Sequence, residues 1–335
     1  MKLLLLGGSK FLGRAYAVEA LSRGHEVTTF NRGRSRADLP GVEAVHGDRT
    51  DAGDLARLVE GRRWDAVVDT SGQQPYDVSR SARLLRDHAD HYTFVSSVHA
   101  FADWPARPVD EGSPTHDCPA DSPPDQPAAN ALKAGCERAV LEGFGEKGSL
   151  LLNCGLLVGP HEPIGRLPWW LDRTARGGRL PAPGRPDRRI QLIDARDFAA
   201  FGLDLAERRQ GGRFVTTAPI GRTTLGELLA HCVEATGGTA ELVWTADADL
   251  EAAGVTPWVG LPFWALDQPD WEGTWNADAS RAEAAGLRNR PIAETVRDTW
   301  AWLENGGRSE VTYLQGDLPL GTTAEQEARL LGAEG

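Results

Sequence analysis

The sequence predicts an α/β protein, a doubly wound parallel sheet with a smaller C-terminal lobe. Three observations carry this. Short apolar runs alternate with helix-spaced segments through the first half. A glycine-rich turn joins the first run to the first helix, and the alternation lapses after Gly159-Pro160. The 335 residues, 41% hydrophobic and 25% charged, suffice for a large core and argue against disorder.

The elements follow in order. Lys2 to Leu6 is a continuous apolar run, as a strand buried on both faces requires. Phe11 to Ser22 has helical spacing, Gly24 stops it, and Glu26 to Phe30 forms the second strand of a β-α-β unit. Strands are then expected at Glu43 to His46, Asp65 to Asp69, Tyr92 to Ser96 and Leu150 to Asn153. Helices are expected at Ala52 to Glu60, Tyr76 to His88 and Ala128 to Gly143. Right-handed crossovers between parallel strands give the doubly wound order. Ala102 to Pro127, rich in Pro, Asp and Ser, reads as a long surface loop. The lobe is expected to hold helices at Leu167 to Arg176, Leu225 to Ala235 and Ile292 to Glu304, with another helix at Ala195 to Arg208. Trp258, Trp264, Trp271 and Trp275 read as core packing of that lobe.

Charge and cysteine usage narrow the function. With 36 basic and 48 acidic residues the formal charge is −12, which repels phosphate backbones, so no nucleic-acid partner is expected. Cys118, Cys136, Cys154 and Cys232 form no CxxC pair, so neither a metal nor a disulfide framework is expected. The first apolar run ends at Gly7-Gly8, too short for a signal peptide or membrane span. A cytoplasmic monomer or homodimer without a membrane partner is expected.

The strongest chemical signal is Gly7-Gly8-Ser9-Lys10-Phe11-Leu12-Gly13. Amides at a helix N-terminus carry partial positive charge and bind a pyrophosphate. Gly7 permits the tight turn, Gly13 permits close helix–strand packing, and Ser9, Lys10, Phe11 and Leu12 complete the cradle. The strand–turn–helix context makes this a dinucleotide site. Residues 1–160 then form the dinucleotide-binding domain, with 189–218 returning to it. Residues 161–188 and 219–335 form the substrate lobe and tail. The second strand ends in Asn31-Arg32-Gly33-Arg34, with no acid to hold a ribose 2′-hydroxyl. Arg32 and Arg34 can pair with a 2′-phosphate, and Lys10 can approach the same side. NADP(H) is favoured over NAD(H), which stays possible.

These motifs resemble the extended, partly atypical branch of the short-chain dehydrogenase/reductase superfamily, the NAD-dependent epimerase/dehydratase family. The resemblance runs over nearly the whole chain. It implies a Rossmann sheet, a nicotinamide cofactor and a small-molecule substrate. From HGDRTD it implies that Asp48 meets adenine. From VVDTSG it implies that Asp69, Thr70 and Ser71 lie under the cofactor. FVSSV and ALKAGCE imply an active-site Ser97 and Lys133, the latter also holding the nicotinamide ribose.

Two departures stand out. The family's Tyr-x-x-x-Lys reads Ala129-Asn130-Ala131-Leu132-Lys133, so the proton-donating phenol is replaced by a methyl group. A positioned acid is worth about 10²- to 10⁴-fold in rate. Where the family often has Arg-Pro before Gly, this chain has Asn153-Cys154-Gly155. Tyr76 and His99 are candidate replacements for the acid. Asp103, His161 and Arg189 are candidates for the substrate, with Arg185 and Arg188 beside Arg189. The expectation is an NAD(P)-dependent oxidoreductase or epimerase with atypical proton transfer. Two alternatives stay open. One is a lyase, dehydratase or cyclase without net redox change, and the other is an inactive binding protein.

Overall fold

A computed structural model describes residues 1–34, 37–123 and 131–332. In chain order the first elements are β1 (Lys2–Leu6), α1 (Phe11–Ser22), β2 (Glu26–Asn31), β3 (Glu43–His46) and α2 (Ala52–Val59). Next come β4 (Trp64–Asp69), α3 (Pro75–Leu85), β5 (Ala89–Ser97), α4 (Leu132–Gly148), β6 (Ser149–Cys154) and β7 (Leu156–Val158). Then follow α5 (Arg166–Ala175), β8 (Gly178–Pro183), β9 (Arg189–Ile190), β10 (Leu192–Asp194), α6 (Ala195–Glu207) and β11 (Gly212–Thr216). The rest are β12 (Thr223–Thr224), α7 (Leu225–Ala235), β13 (Ala240–Thr245), α8 (Asp247–Ala252), α9 (Ser280–Ala284), α10 (Ile292–Glu304), β14 (Leu314–Gln315), β15 (Leu318–Pro319) and α11 (Ala324–Leu330).

The chain divides into two compact units. The first comprises Met1–Gly155, Ala195–Thr217 and Ala277–Arg288. Its seven strands run parallel in the order β11-β6-β5-β4-β1-β2-β3. This is a doubly wound Rossmann sheet, and the direction of winding reverses between β1 and β4. Leu3, Leu4 and Leu5 are fully buried, as both-face coverage of a parallel sheet demands. Tyr16, Ala17 and Ala20 of α1 are also fully buried. On one face Phe30, Leu58, Val67, Tyr92, Phe94 and Val140 belong to a single core.

The second unit comprises Leu156–Asp194, Ala218–Asn276 and Asn289–Gly335. Its core gathers Leu167, Trp170, Leu180, Leu228, Phe263, Trp264 and Val296. Two buried indoles keep their N–H groups satisfied: Trp170 donates to the Pro262 carbonyl at 2.9 Å and Trp264 to Asp247 at 3.0 Å. Trp258 stacks on Trp271 with ring centres 6.5 Å apart and meets Trp275 at 5.3 Å.

The expected helices α1, α7 and α10 have the bounds read from sequence, and most other expected elements shift by one to three residues. Among the described residues the nine strands after β6, β7 to β15, escape the periodicity reading, and β8, β11 and β13 are the longest of them. The Ala102 to Pro127 stretch is more tightly held than a surface insertion. Phe101 pairs with Thr115, Val109 pairs with Ala277, and Cys118 and Ala120 are buried. Its last residues, from Pro124, lie outside the described part, as does Ala129. No helix among the described residues is long and apolar enough to cross a membrane.

Candidate functional site

The β1–α1 turn is built by necessity from glycines. Gly7 and Gly8 have φ of +117° and +96°, where a side chain is strained. A Cβ on Gly7 would sit 2.5 Å from the Thr70 hydroxyl. One on Gly13 would sit 2.6 Å from the Gly8 amide nitrogen, so α1 rests directly on the turn. No side chain caps α1, and its first turn holds no acid. Its leading amides thus lack the usual side-chain acceptor and fit an anionic group.

The turn opens on a groove of about 470 Å³ at the carboxyl ends of β1, β2 and β4. Gly7, Ser9, Lys10, Phe11, Leu12 and Gly13 line it from the turn. Asn31, Arg32 and Arg34 line it from the end of β2, Asp48 and Arg49 from the β3–α2 loop, and Thr70 and Ser71 from beyond β4. Asn31 turns its side-chain oxygen to the Gly33 amide at 2.8 Å, shaping the loop that carries both arginines. Asp48 accepts from the Thr50 amide at 2.9 Å and hydroxyl at 2.8 Å. These bonds, with the charges of Arg32 and Arg34, hold its carboxyl below the ordinary value against a smaller opposing effect of burial.

Asp69 does not line the groove. It is fully buried, with its oxygens 2.9 Å from both terminal nitrogens of Arg49. It also accepts from the Ser71 amide at 3.0 Å and the Tyr92 hydroxyl at 2.8 Å. Burial pushes its carboxyl up. The Arg49 guanidinium and these hydrogen bonds outweigh that and hold it below the ordinary value. Arg49 also donates to Ser81 of α3 at 2.7 Å. One guanidinium thus ties the β3–α2 loop, the end of β4 and α3 together. Sequence reading missed Arg49, although an acid at the end of a buried strand calls for a counter-charge.

Lys133 lies outside the groove lining but close to the same sheet edge. Its ammonium donates to the Gly72 carbonyl at 2.7 Å and the Val95 carbonyl at 3.3 Å, and lies over the Phe94 ring. Ser97 ends β5, where its hydroxyl accepts from the His99 amide at 3.2 Å. His99 is exposed, with its ring against Trp104, and Asp103 is exposed beyond it. Tyr76 projects from the first turn of α3, 44% exposed, with Arg80 over its ring. It is not in the groove lining. His161 and Arg189 belong to the second unit. His161 lies 2.9 Å from Glu310, Arg188 is ion-paired to Asp247 at 2.8 Å, and Arg189 is exposed on β9.

A second buried network was not foreseen. Glu137, one helical turn beyond Lys133 on α4, is 2% exposed. It accepts from Ser96 and, at 2.6 Å, from Asn153, and pairs with Arg213 of β11 at 2.7 Å. Arg213 also donates to Asn153 at 3.1 Å. Asn153, which stands where the family often has Arg, therefore joins α4 to the ends of β5 and β11. Among the described residues no group of three or more His, Cys, Asp or Glu is placed to hold a metal ion.

A seven-stranded parallel sheet with a glycine turn at its winding reversal defines the Rossmann class. Residues 3–215 match the NAD dependent epimerase/dehydratase family, and the chain belongs to that family. Over 114 residues it is 32% identical to the 2′-dehydrokanamycin reductase of Streptomyces kanamyceticus, a stretch covering 34% of this chain and 32% of that protein. It is 26% identical to the chloroplast stem-loop binding protein of 41 kDa b from Arabidopsis thaliana, covering 30% of each. The matched stretches span about a third of these curated relatives. Among solved structures, Bordetella bronchiseptica WbmH in complex with NAD+ has a TM-score of 0.67 at 17% identity, covering 91% of this chain and 99% of that one. The Thermotoga maritima UDP-glucose 4-epimerase with UDP-glucose has 0.67 at 16%, with the same coverage. At these identities the likeness establishes the fold.

Proposed function

We propose that this chain is an NADP(H)-dependent reductase or epimerase acting on a small molecule, with NAD(H) as the weaker cofactor. One observation carries the cofactor choice. The groove presents Lys10, Arg32 and Arg34, while the end of β2 offers Asn31 in place of an acid. Arg49 adds no free charge there, because Asp69 neutralises it. Three cations with no β2 acid suit a 2′-phosphate, whose charge-assisted hydrogen bonds are the strong ones. The uncapped amides of α1 suit the pyrophosphate, and the glycine cradle leaves no room for a side chain.

When bound, the nicotinamide supplies or accepts hydride. The chain's own residues do the rest. Lys133, fixed by two carbonyls, retains one N–H for a ribose or substrate oxygen. Ser97 keeps its hydroxyl proton to donate toward substrate while its oxygen accepts from His99. His99, exposed just past β5, can hold or release a proton at its ring nitrogens. Asp103, His161 and Arg189 are proposed substrate contacts, and the cytoplasm is the proposed location.

A second reading, turnover without net redox change, is favoured by Ala129 standing at the tyrosine position of the motif. Nicotinamide absorbance and product identity part the readings: substrate-dependent loss at the reduced band marks a net reductase, turnover without it to an epimer marks an epimerase in which the hydride returns, and turnover without it to an eliminated or cyclised product marks the second reading. For the cofactor, Arg32→Ala is expected to raise the dissociation constant for NADPH about tenfold more than that for NADH, read by nicotinamide fluorescence. Equal changes would refute the 2′-phosphate assignment.

A further inference from the structure

The second unit contains a concavity of about 810 Å³, in the size range of sites for small organic ligands. Trp271 and Trp275 line it, and Trp258 backs both. Trp275 is only 8% exposed, and its indole N–H has no acceptor among the described residues. A buried donor without an acceptor is costly, so this wall carries an unmet hydrogen bond.

Around this aromatic wall the charges are balanced. The lining arginines are Arg185, Arg188 and Arg189, and the lining carboxylates are Asp187, Asp267 and Glu272. Arg185 is paired to Asp187 at 2.8 Å and to Asp267 at 3.4 Å, and Arg188 is committed to Asp247 at 2.8 Å. Gln268 and Asn276 add two amides. A diphosphate needs surplus positive charge, and it would meet three carboxylates here. A saccharide ring meets what it uses. Its C–H face would lie on an indole, and its neighbouring hydroxyls would accept from amide and guanidinium N–H groups and donate to carboxylates and amide oxygens.

We infer that this pocket binds an unphosphorylated sugar ring, as a free glycoside and not as a nucleotide sugar. The inference deepens the reading of the chain as a small-molecule enzyme by naming its ligand class, and rests on that reading only for the ligand being a substrate. Neighbours of the same fold were solved with UDP and with UDP-glucose, a ligand class this charge balance does not suit.

Calorimetry on the full chain tests it with three unphosphorylated probes, methyl α-glucoside, maltose and kanamycin, against UDP-glucose and UDP. At least one of the three is expected to bind saturably. Trp271→Ala and Asp267→Asn should each weaken that binding by about tenfold. Asp267→Asn removes an exposed charge and its exposed ion pair with Arg185, which cost the fold little, so it keeps the test valid should Trp271→Ala fold poorly. Binding of UDP-glucose or UDP that both substitutions weaken would overturn the inference. So would heat from none of the three probes, or binding that neither substitution alters. NADPH titration of the same samples reads the groove separately. In the unaltered chain, cofactor binding without binding of any sugar probe refutes this inference alone, and sugar binding without cofactor binding refutes the cofactor reading alone.

Discussion

Lys133 shows how a single side chain is committed before any ligand arrives. Two carbonyls, on Gly72 and Val95, fix its ammonium, and hydrogen bonds to a charged donor are worth about 1.5–3 kcal/mol each. Lys133→Ala is expected to weaken NADPH binding about tenfold or more in a fluorescence titration. An unchanged dissociation constant would remove Lys133 from the site. Gly13 is constrained differently. Gly13→Ala puts a methyl against the Gly8 backbone, so a cost of about 1–3 kcal/mol and loss of the cofactor are expected, read by urea unfolding and NADPH titration. Gly7, Gly13 and Arg32 were legible because their chemistry is local to one turn. Arg49 and Glu137 were not. Their partners Asp69 and Arg213 lie 20 and 76 residues away in sequence, and only folding brings them together.

At the scale of elements, the Arg49–Asp69 pair holds the β3–α2 loop, the end of β4 and α3 in register. Asp69→Asn leaves a guanidinium buried without its counter-charge, and a loss of about 3–5 kcal/mol in urea unfolding is expected. The pH dependence follows from the depressed carboxyl of Asp69. Folding lowers its proton affinity, so its contribution is complete above about pH 3.9, the ordinary aspartate value, and fades as pH falls through the lower folded value. The Asn variant should flatten the acid limb of the stability curve; an unaltered limb would show that other carboxylates set it. A smaller test lies at α7, where Thr224 and Glu227 form a capping box. Thr224→Ala should cost about 1 kcal/mol. Periodicity found the helices of eight residues or more because each buries one stripe, and it missed the short α8, α9 and α11. It missed β8 because Pro181 and Pro183 argue against a strand. Yet β8 pairs with β13 alone, and its other edge needs no amide donors. β11 is five residues long and joins β6 from 58 residues on, beyond the reach of any local pattern.

For the whole molecule, the formal charge of −12 governs encounters with other polymers. One relative is a chloroplast stem-loop binding protein, matched over 114 residues. An acidic surface predicts that a stem-loop RNA is not retarded by this chain at physiological salt; a saturable, salt-sensitive shift would overturn that. The charge and the alternation of elements were readable from composition and order alone, and both concern the chain as a whole. The division into units was read with breaks at 160, 189 and 218, where the compact units change at Gly155, Ala195 and Thr217; the return of Ala277–Arg288 to the first unit was not read, because no local pattern marks it.

That interleaving also bears on how the protein is made. The polypeptide passes from one unit to the other five times, so no single cut separates them. A ribosome that has released Gly155 has delivered six of the seven strands of the large sheet, and the edge of β6 waits bare until β11 emerges. A fragment ending there would offer unpaired amides and carbonyls along an apolar strand, an invitation to self-association. Expression of the N-terminal portion alone should therefore yield aggregates, and any minimal soluble version must retain the chain through Arg288.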